Sequence, residues 1–581
     1  MTLGIEQNCI RLRAPRENLS AVVEPHWDRV AALIQENRAL RALPDYNMQG
    51  RPLSEIIRQA RAQLLAAARR WTAAYRDPGP LPDDPTDLIF LAGHQPQMFH
   101  PGVWLKNFTL GRLARLHRAT AINLIIDSDA VAATSLRVPG GSPQNPSAAM
   151  LPFDRPVPVI PYEERRIEDR ALFDSFGRRV REQMAGLVKR PLIEKYWPIV
   201  VRQSQDTDRL GDCLARARHI IEAQWESATL EIPQSWVCRL DSFHWLVAHL
   251  TAQLPRFLAV YNEAVREHRR RYRIRNASHP VPDLATDGDW LEAPFWIWSR
   301  EDPRRKHLFV KPRAGDLILS DRQNVEVPLP LTDQSDASRA VEQLAELERR
   351  GVKIRSRALV TTLWARLVLG DLFLHGIGGA NYDCITDRII QRFFGRKPPG
   401  FMVISATLHL PIIHSPLPTN LRSVPGEGQG EGQFKTSPLS LGEGQGEGNS
   451  AIKHPAGKKE DLRAIDHQLR DLTYNPQRYL AGVFHESSSL PGQVQKLIDS
   501  KQQWIETHQT IENARTRCQA IRHVNESLQP WVAEQRRQLL VRRDQAAEQL
   551  RAEDILTWRE YAFCLYPEET LRTFLDSLLL Q

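Results

Sequence analysis

Leu88-Ile89-Phe90-Leu91-Ala92-Gly93-His94-Gln95-Pro96, followed past Pro101-Gly102 by a helical pattern and then by Ala121-Ile122-Asn123-Leu124-Ile125-Ile126-Asp127-Ser128-Asp129, is the stretch that decides the fold. Each apolar run, bounded by turn formers, reads as a buried strand. The order strand, Gly/His/Pro loop, helix, strand, acidic tip is a βαβ unit, and its polar residues gather where the strands end. Open α/β sheets bind ligands at that edge. The sequence therefore predicts an α/β protein with a small-molecule site.

Working outward, residues 24–75 carry apolar residues at helical spacing (Val30, Leu33, Ile34, then Ile56, Ile57, Ala60, Leu64), interrupted by Pro44 and Pro52. Residues 1–85 are expected to form an N-terminal helical segment, with 78–85 a proline-rich connector. A first part of the core spans 86–286: the βαβ unit, a Pro/Gly/Ser-rich loop, an extended Val157-Pro158-Val159-Ile160-Pro161-Tyr162, then helices to about Arg275. The runs Phe295-Trp296-Ile297-Trp298, Leu308-Phe309-Val310 and Leu317-Ile318-Leu319 predict a small antiparallel β insertion over 287–330, whose aromatic strip suits a pocket wall. The second part of the core spans 331–412, with a helix over 335–350, the strand Leu372-Phe373-Leu374-His375, a helix through Phe394 and a strand over 401–406.

Residues 413–452 differ in kind: Gly-Glu-Gly-Gln-Gly-Glu-Gly occurs at 426–432 and again at 442–448. Such a composition buries too little apolar area to offset chain entropy, so a disordered insert is expected. Residues 453–552 read as coiled-coil helices over 461–472, 490–507 and 510–551, an antiparallel hairpin. A tail over 553–581 follows, whose Trp558-Arg559-Glu560-Tyr561 and Cys564 either cover the site or pack as an ordinary tail.

A chain of 581 residues implies two or three domains. Its apolar runs fall short of a membrane span, and the N-terminal stretch lacks a signal-peptide core, so a cytoplasmic protein with no membrane partner is expected. Six cysteines without a CxxC pair indicate neither a disulfide framework nor a cysteine zinc site. A net charge of +8 suits a phosphate-bearing small ligand as well as nucleic acid. The basic run Arg266-Glu267-His268-Arg269-Arg270-Arg271-Tyr272-Arg273-Ile274-Arg275 ends a helix starting near Asp241; it reads as a solvated helix end or as a phosphate patch. No zinc finger, RNP motif or helix-turn-helix accompanies it, which disfavours a nucleic-acid partner.

The chemistry-bearing residues cluster at the strand ends. Gly93, Gln95 and Pro96 shape the first loop, and His94, His100 and Lys106 sit within one strand-to-helix junction suited to a phosphate or an activated carboxylate. This is neither a P-loop nor a dinucleotide fingerprint, and His94 reads equally as a capped loop histidine. Two histidines without a third nearby ligand do not make a zinc site, so no metal ligand set is expected. Asp127 and Asp129 suit a magnesium ion, a ligand amine or ribose hydroxyls, or else a helix cap or turn. In the second segment, His375, Gly378 and Gly379 allow close approach to a ligand, with Asn381 and Asp383 opening the next helix; a tight turn plus cap is the plain alternative.

At these residues the chain resembles the family of the bacillithiol biosynthesis cysteine-adding enzyme. Gly93-His94-Gln95-Pro96 is similar to that family's Gly-Gln-Gln-Pro/Ala-like loop, with His94 in place of a glutamine. Asp127-Ser128-Asp129 matches in part its Glu-Asp-His-Asp-like cluster, without the histidine. Gly378-Gly379, the helix after it and the helical region from 461 onward continue the likeness, which runs over most of 86–555. The resemblance implies a Rossmann-like core in two sequence segments, related to nucleotidylyltransferases, and a coiled-coil hairpin that mediates homodimerisation. It also implies a ligase or transferase joining cysteine or a similar group to a small acceptor. ATP or ADP with magnesium is the cofactor that fits such a reaction. His94, His100, Asp127 and Asp129 are then the expected catalytic residues. The altered acidic cluster, with Trp296 and Trp298 in the insertion, points to a paralogous family with another acceptor. The competing expectation is a non-catalytic scaffold, or a nucleic-acid-binding protein, on a relic core.

Overall fold

The computed structural model describes residues 12–412, 456–482 and 490–579. The expected disordered insert over 413–452 and Cys9 lie outside the described residues.

Six strands make the main sheet: β1 (Ser20–Glu24), β2 (Ile89–His94), β3 (Thr120–Ile125), β4 (Leu230–Pro233), β5 (Leu372–His375) and β6 (Met402–Thr407). Their spatial order is β1-β6-β5-β2-β3-β4, with β1 antiparallel to β6 and all other pairs parallel. Both faces are covered, which explains the continuous apolar runs in β2 and β3. Ile89, Leu91, Ile122 and Leu124 face a core shared with helix α1 (Leu53–Ala73), while Phe90, Ala92 and Ala121 face Leu110, Leu113 and Ala114 of helix α2 (Pro101–His117). An α/β core with a largely parallel sheet is thus present. The N-terminal segment does more than form helices, because Ser20–Glu24 pairs along β6 as an edge strand.

A second, antiparallel sheet contains Trp290–Trp298, Lys306–Arg313, Asp316–Ser320 and Glu326–Leu329 within the expected insertion. It also recruits Lys353–Ser356, beyond the expected boundary at 330, which pairs with Trp290–Trp298. Ile354 of that strand is buried in the apolar core, and Arg355 points to the opposite face, where Glu163 and Glu348 hold it. The helix expected from Asp241 is two helices, Asp241–Ala252 and Leu254–Arg271, and the basic run fills the last turn of the second. Arg269 there donates to the backbone of the following loop and pairs with Asp283 at 2.6 Å, a helix-terminus role.

The described chain falls into two compact units. The first takes the described residues before Gln144, those from Ala148 to residue 412, and those from Trp558 onward. The second is helical and ends at Thr557, with Gln144–Ser147 assigned to it. In it, helices Ala456–Tyr474, Gly492–Glu506, Ala514–Leu528 and Ala533–Leu556 share an apolar cluster that includes Ile465, Leu472, Val494, Val524, Leu528 and Leu539. The helix expected over 510–551 is broken at Gln529–Val532, where Pro530 offers no backbone N–H to continue the ladder. Among the described residues no helix is long and apolar enough to cross a membrane. The described cysteines are free thiols, buried except for Cys518.

Candidate functional site

The chain steps outward from β2 to β3 to β4 on one side and from β5 to β6 on the other, so the strand order reverses between β2 and β5. Loops leaving adjacent strands in opposite directions open a crevice at such a point. The end of β2 brings Gly93 and His94 there, and the end of β5 brings His375. Lys106, on the second turn of α2 and 2% exposed, reaches back to donate to the Gly93 carbonyl at 2.6 Å. His100 is the N-cap of α2: its Nδ1 accepts the Gly102 N–H at 3.1 Å, with Pro101 at the first helical position. The His94 ring packs edge-on against Phe99, its Nδ1 3.2 Å from the Gln95 carbonyl. Gln95 turns the other way and donates to Asp129 at 2.8 Å, joining the Gly-His-Gln-Pro loop to the acidic tip. Pro96 packs beside Gly211 of helix α3 (Leu210–Gln224), where a Cβ would come 3.1 Å from the proline ring.

The two aspartates have separate protein partners. Asp129 also takes Arg305 of the antiparallel sheet at 2.8 Å. Asp127 is 3% exposed and accepts the N–H and hydroxyl of Ser235 at the end of β4. Between them Ser128 donates to Gln234 at 2.8 Å. Burial, then the nearby Glu163 carboxylate, pushes the Asp127 pKa up to about 7. The folded state therefore holds a proton that the unfolded chain releases near pH 4. The contribution of this group to stability is fully present below that pH and is lost as pH rises through about 7. Asp127→Asn is expected to flatten that decline while its Oδ1 still accepts the Ser235 N–H and the Ser235 hydroxyl turns to accept from Nδ2. Urea midpoints at pH 5 and pH 8 check it: an equal decline in wild type and variant would mean that other groups carry the pH dependence.

On the β5 side, His375 is 4% exposed and its Nε2 lies 2.9 Å from Asp383 Oδ2. Asp383, expected to meet ligand, is instead enclosed by His375, Arg366 and Thr362. Burial would raise its pKa, but the Arg366 guanidinium and the imidazole hold it well below the usual carboxylate range. Burial lowers the His375 pKa, against the pull of Asp383, and the Lys106 ammonium adds to the lowering. Helix α4 (Ile377–Phe393) starts at the N-cap Gly376, so Gly378 and Gly379 lie in its first turn. A Cβ at Gly379 would stand 2.9 Å from His375 Nδ1, so glycine leaves the imidazole its place. Asn381 makes only a long contact, 3.4 Å, to the Leu12 carbonyl, and its Oδ1 is buried with no hydrogen-bond partner among the described residues.

The tail after Thr557 returns to this edge. The Phe563 N–H donates to the Phe99 carbonyl at 2.8 Å, and its ring packs 4.3 Å from that of Trp104. Tyr566 donates to the Leu408 carbonyl at 2.8 Å, while Cys564 sits against Met98. The aromatic strip of the insertion divides. Trp298 is fully buried, donating to Glu164 at 2.8 Å, and so anchors the sheet rather than lining a pocket. Trp296 is half-buried, with the guanidinium groups of Arg357 and Arg305 4.4 and 4.7 Å from its ring centroid.

Sequence reading missed a buried polar cluster behind the sheet. His219 and Glu222 of α3 and Glu231 of β4 place one ligand atom each within 4.8 Å of one another, the spacing of a metal site. Cations already occupy it. Arg218 pairs with both carboxylates, and Arg76 lies 2.8 Å from the His219 ring. The two glutamates and two arginines balance in charge, which favours a structural role. The i,i+3 pair His219/Glu222 was visible on its helix, but the partner on β4 was not.

No protein-family model matches this chain, and no curated protein is found similar to it.

Proposed function

We propose that the crevice between β2 and β5 is the active site of a ligase or transferase of the bacillithiol-synthesis cysteine-adding type. A Rossmann-like core built from two sequence segments would join an amino acid or similar group to a small acceptor in the cytoplasm, using ATP or ADP with magnesium. The helical hairpin would hold a homodimer. One observation carries this reading: the reversal of strand order sets Lys106 and the Asp383-backed His375 at the same sheet edge.

The chemistry follows from the residues. Asp383 accepts from Nε2–H and so fixes the tautomer that leaves Nδ1 as the proton acceptor. A neutral imidazole takes the proton of an attacking amine and returns it to the leaving group. Lys106, and the positive end of α2 capped by His100, oppose negative charge developing on the electrophile. Gly93, Gly378 and Gly379 let backbone approach the ligand. His94 borders the crevice, and Asp127 and Asp129 support the loops that line it.

A melting screen of the full chain against ATP and ADP, with and without magnesium, tests the cofactor; a nucleotide at about a hundred times its dissociation constant adds about 2.7 kcal/mol. In a cysteine-dependent nucleotide-consumption assay, His375→Ala is expected to lower turnover about 10²- to 10⁴-fold while the protein stays folded. No nucleotide response, with turnover indifferent to His375, would sink the reading.

A further inference from the structure

The returning tail sets two donors, Tyr561 and Arg559, against the carboxyl edge of the sheet, and Arg137 approaches the same tail. Tyr561 is 1% exposed, and its hydroxyl has no hydrogen-bond partner among the described residues. Arg559 places Nη2 3.4 Å from Ser405 Oγ and from the Ala406 carbonyl, contacts too long to satisfy a guanidinium, and its buried Nε has no partner. The Arg137 guanidinium lies 4.3 Å over the Trp558 ring, and its charge lowers the Tyr561 pKa against the larger effect of burial. Neither arginine is ion-paired among the described residues. Both are half-buried, whereas the buried arginines elsewhere are ion-paired: Arg165 with Asp154, Arg218 with Glu222, Arg355 with Glu163 and Arg366 with Asp383. Glu560, the nearest acid in sequence, is exposed.

Leaving one buried donor without an acceptor costs about 1–3 kcal/mol, and the Tyr561 hydroxyl and Arg559 Nε are two such donors on one short segment, which points to a ligand as the acceptor. The Ala406 carbonyl that Arg559 approaches also abuts Gly102, where a Cβ would overlap its oxygen. The cluster therefore lies beside the N-terminal turn of α2. The Gly102, Val103 and Trp104 amides of that turn are already taken by His100, so α2 contributes its dipole rather than its N–H groups.

We propose that Arg137, Arg559 and Tyr561 form a subsite for a phosphoryl oxyanion. The proposal rests on the active-site reading above in taking that oxyanion as part of the substrate or cofactor. Guanidinium forks match the oxygen geometry of a phosphoryl group, and two of them with a phenol supply more donors than one carboxylate accepts. Burial raises the Tyr561 pKa to about 12, which keeps the phenol a donor at neutral pH.

The test is calorimetric titration of the full chain with inorganic pyrophosphate at fixed ionic strength, with citrate as the carboxylate arm. Pyrophosphate should bind the wild type more tightly than citrate. Arg559→Gln and Arg137→Gln should each weaken it about tenfold or more, Tyr561→Phe severalfold, and Arg559→Lys less than the glutamine variant. His375→Ala should bind pyrophosphate normally. Three results would each overturn the subsite: no pyrophosphate binding by the wild type, citrate bound as tightly through the same residues, or affinity unchanged in the variants. If Arg559→Gln does not fold, Tyr561→Phe decides alone, since it removes one oxygen. Arginine-dependent pyrophosphate binding in an enzyme indifferent to His375 keeps the subsite and removes only the catalytic reading.

Discussion

Arg355→Ala is expected to cost about 3–5 kcal/mol of folding stability, because it breaks a fully buried ion cluster from one side. Arg355 is 0% exposed and donates to Glu163 at 2.9 Å and to both oxygens of Glu348 at 2.8 and 2.9 Å. Removing it leaves Glu163, 2% exposed, with only the longer Lys353 pair at 3.4 Å, beside Asp127, whose carboxyl that same charge already pushes up. The strand carrying Arg355 is an edge of the antiparallel sheet, and the Glu163 N–H donates to the Asp127 carbonyl. The lost pair therefore loosens the sheet from the acidic tip as well as exposing charge to a dry interior. Urea unfolding followed by tryptophan fluorescence measures it. A loss under about 1 kcal/mol would show that water reaches Glu163 and that the cluster is not closed.

The second large effect is at Gly102. A Cβ there would overlap the Ala406 carbonyl oxygen, a backbone atom that no rotamer change can move. Gly102→Ala must push α2 and β6 apart, which strains a close-packed interior and costs about 1–3 kcal/mol or more. It should also disturb the His100 cap, because the added atom meets that imidazole too. A melting temperature lowered by several degrees, with pyrophosphate binding weakened in step, is the expected pair of readings. Unchanged melting would mean that α2 and β6 can part without loss of packing.

The strands legible in the sequence were those buried on both faces. Residues 88–92, 121–126 and 372–375 are unbroken apolar runs because helices cover both sides of the sheet. The strand β4 was not legible, since Leu230-Glu231-Ile232-Pro233 buries a glutamate that Arg218 compensates, and a charge in so short a run reads as surface. At the site, His375 and Asp383 were singled out, but their roles differ. Asp383 is bonded to His375 and to Arg366, a partner that its own local sequence does not mark. Lys106 was found by its place at the strand-to-helix junction. Arg137, Arg559 and Tyr561 left no combined signal, because residues separated by some four hundred positions share no period or motif.

That separation has a consequence for biogenesis. Translation delivers the strands of the parallel sheet first, the helical unit next, and the Trp558 to Leu579 segment afterwards. Until that segment clears the ribosome, Phe99 and Trp104 have no Phe563 against them and the sheet edge stays open. The first unit thus finishes folding only after the second has been synthesised, and a nascent chain halted before Trp558 would present uncovered aromatic surface to chaperones rather than a finished domain.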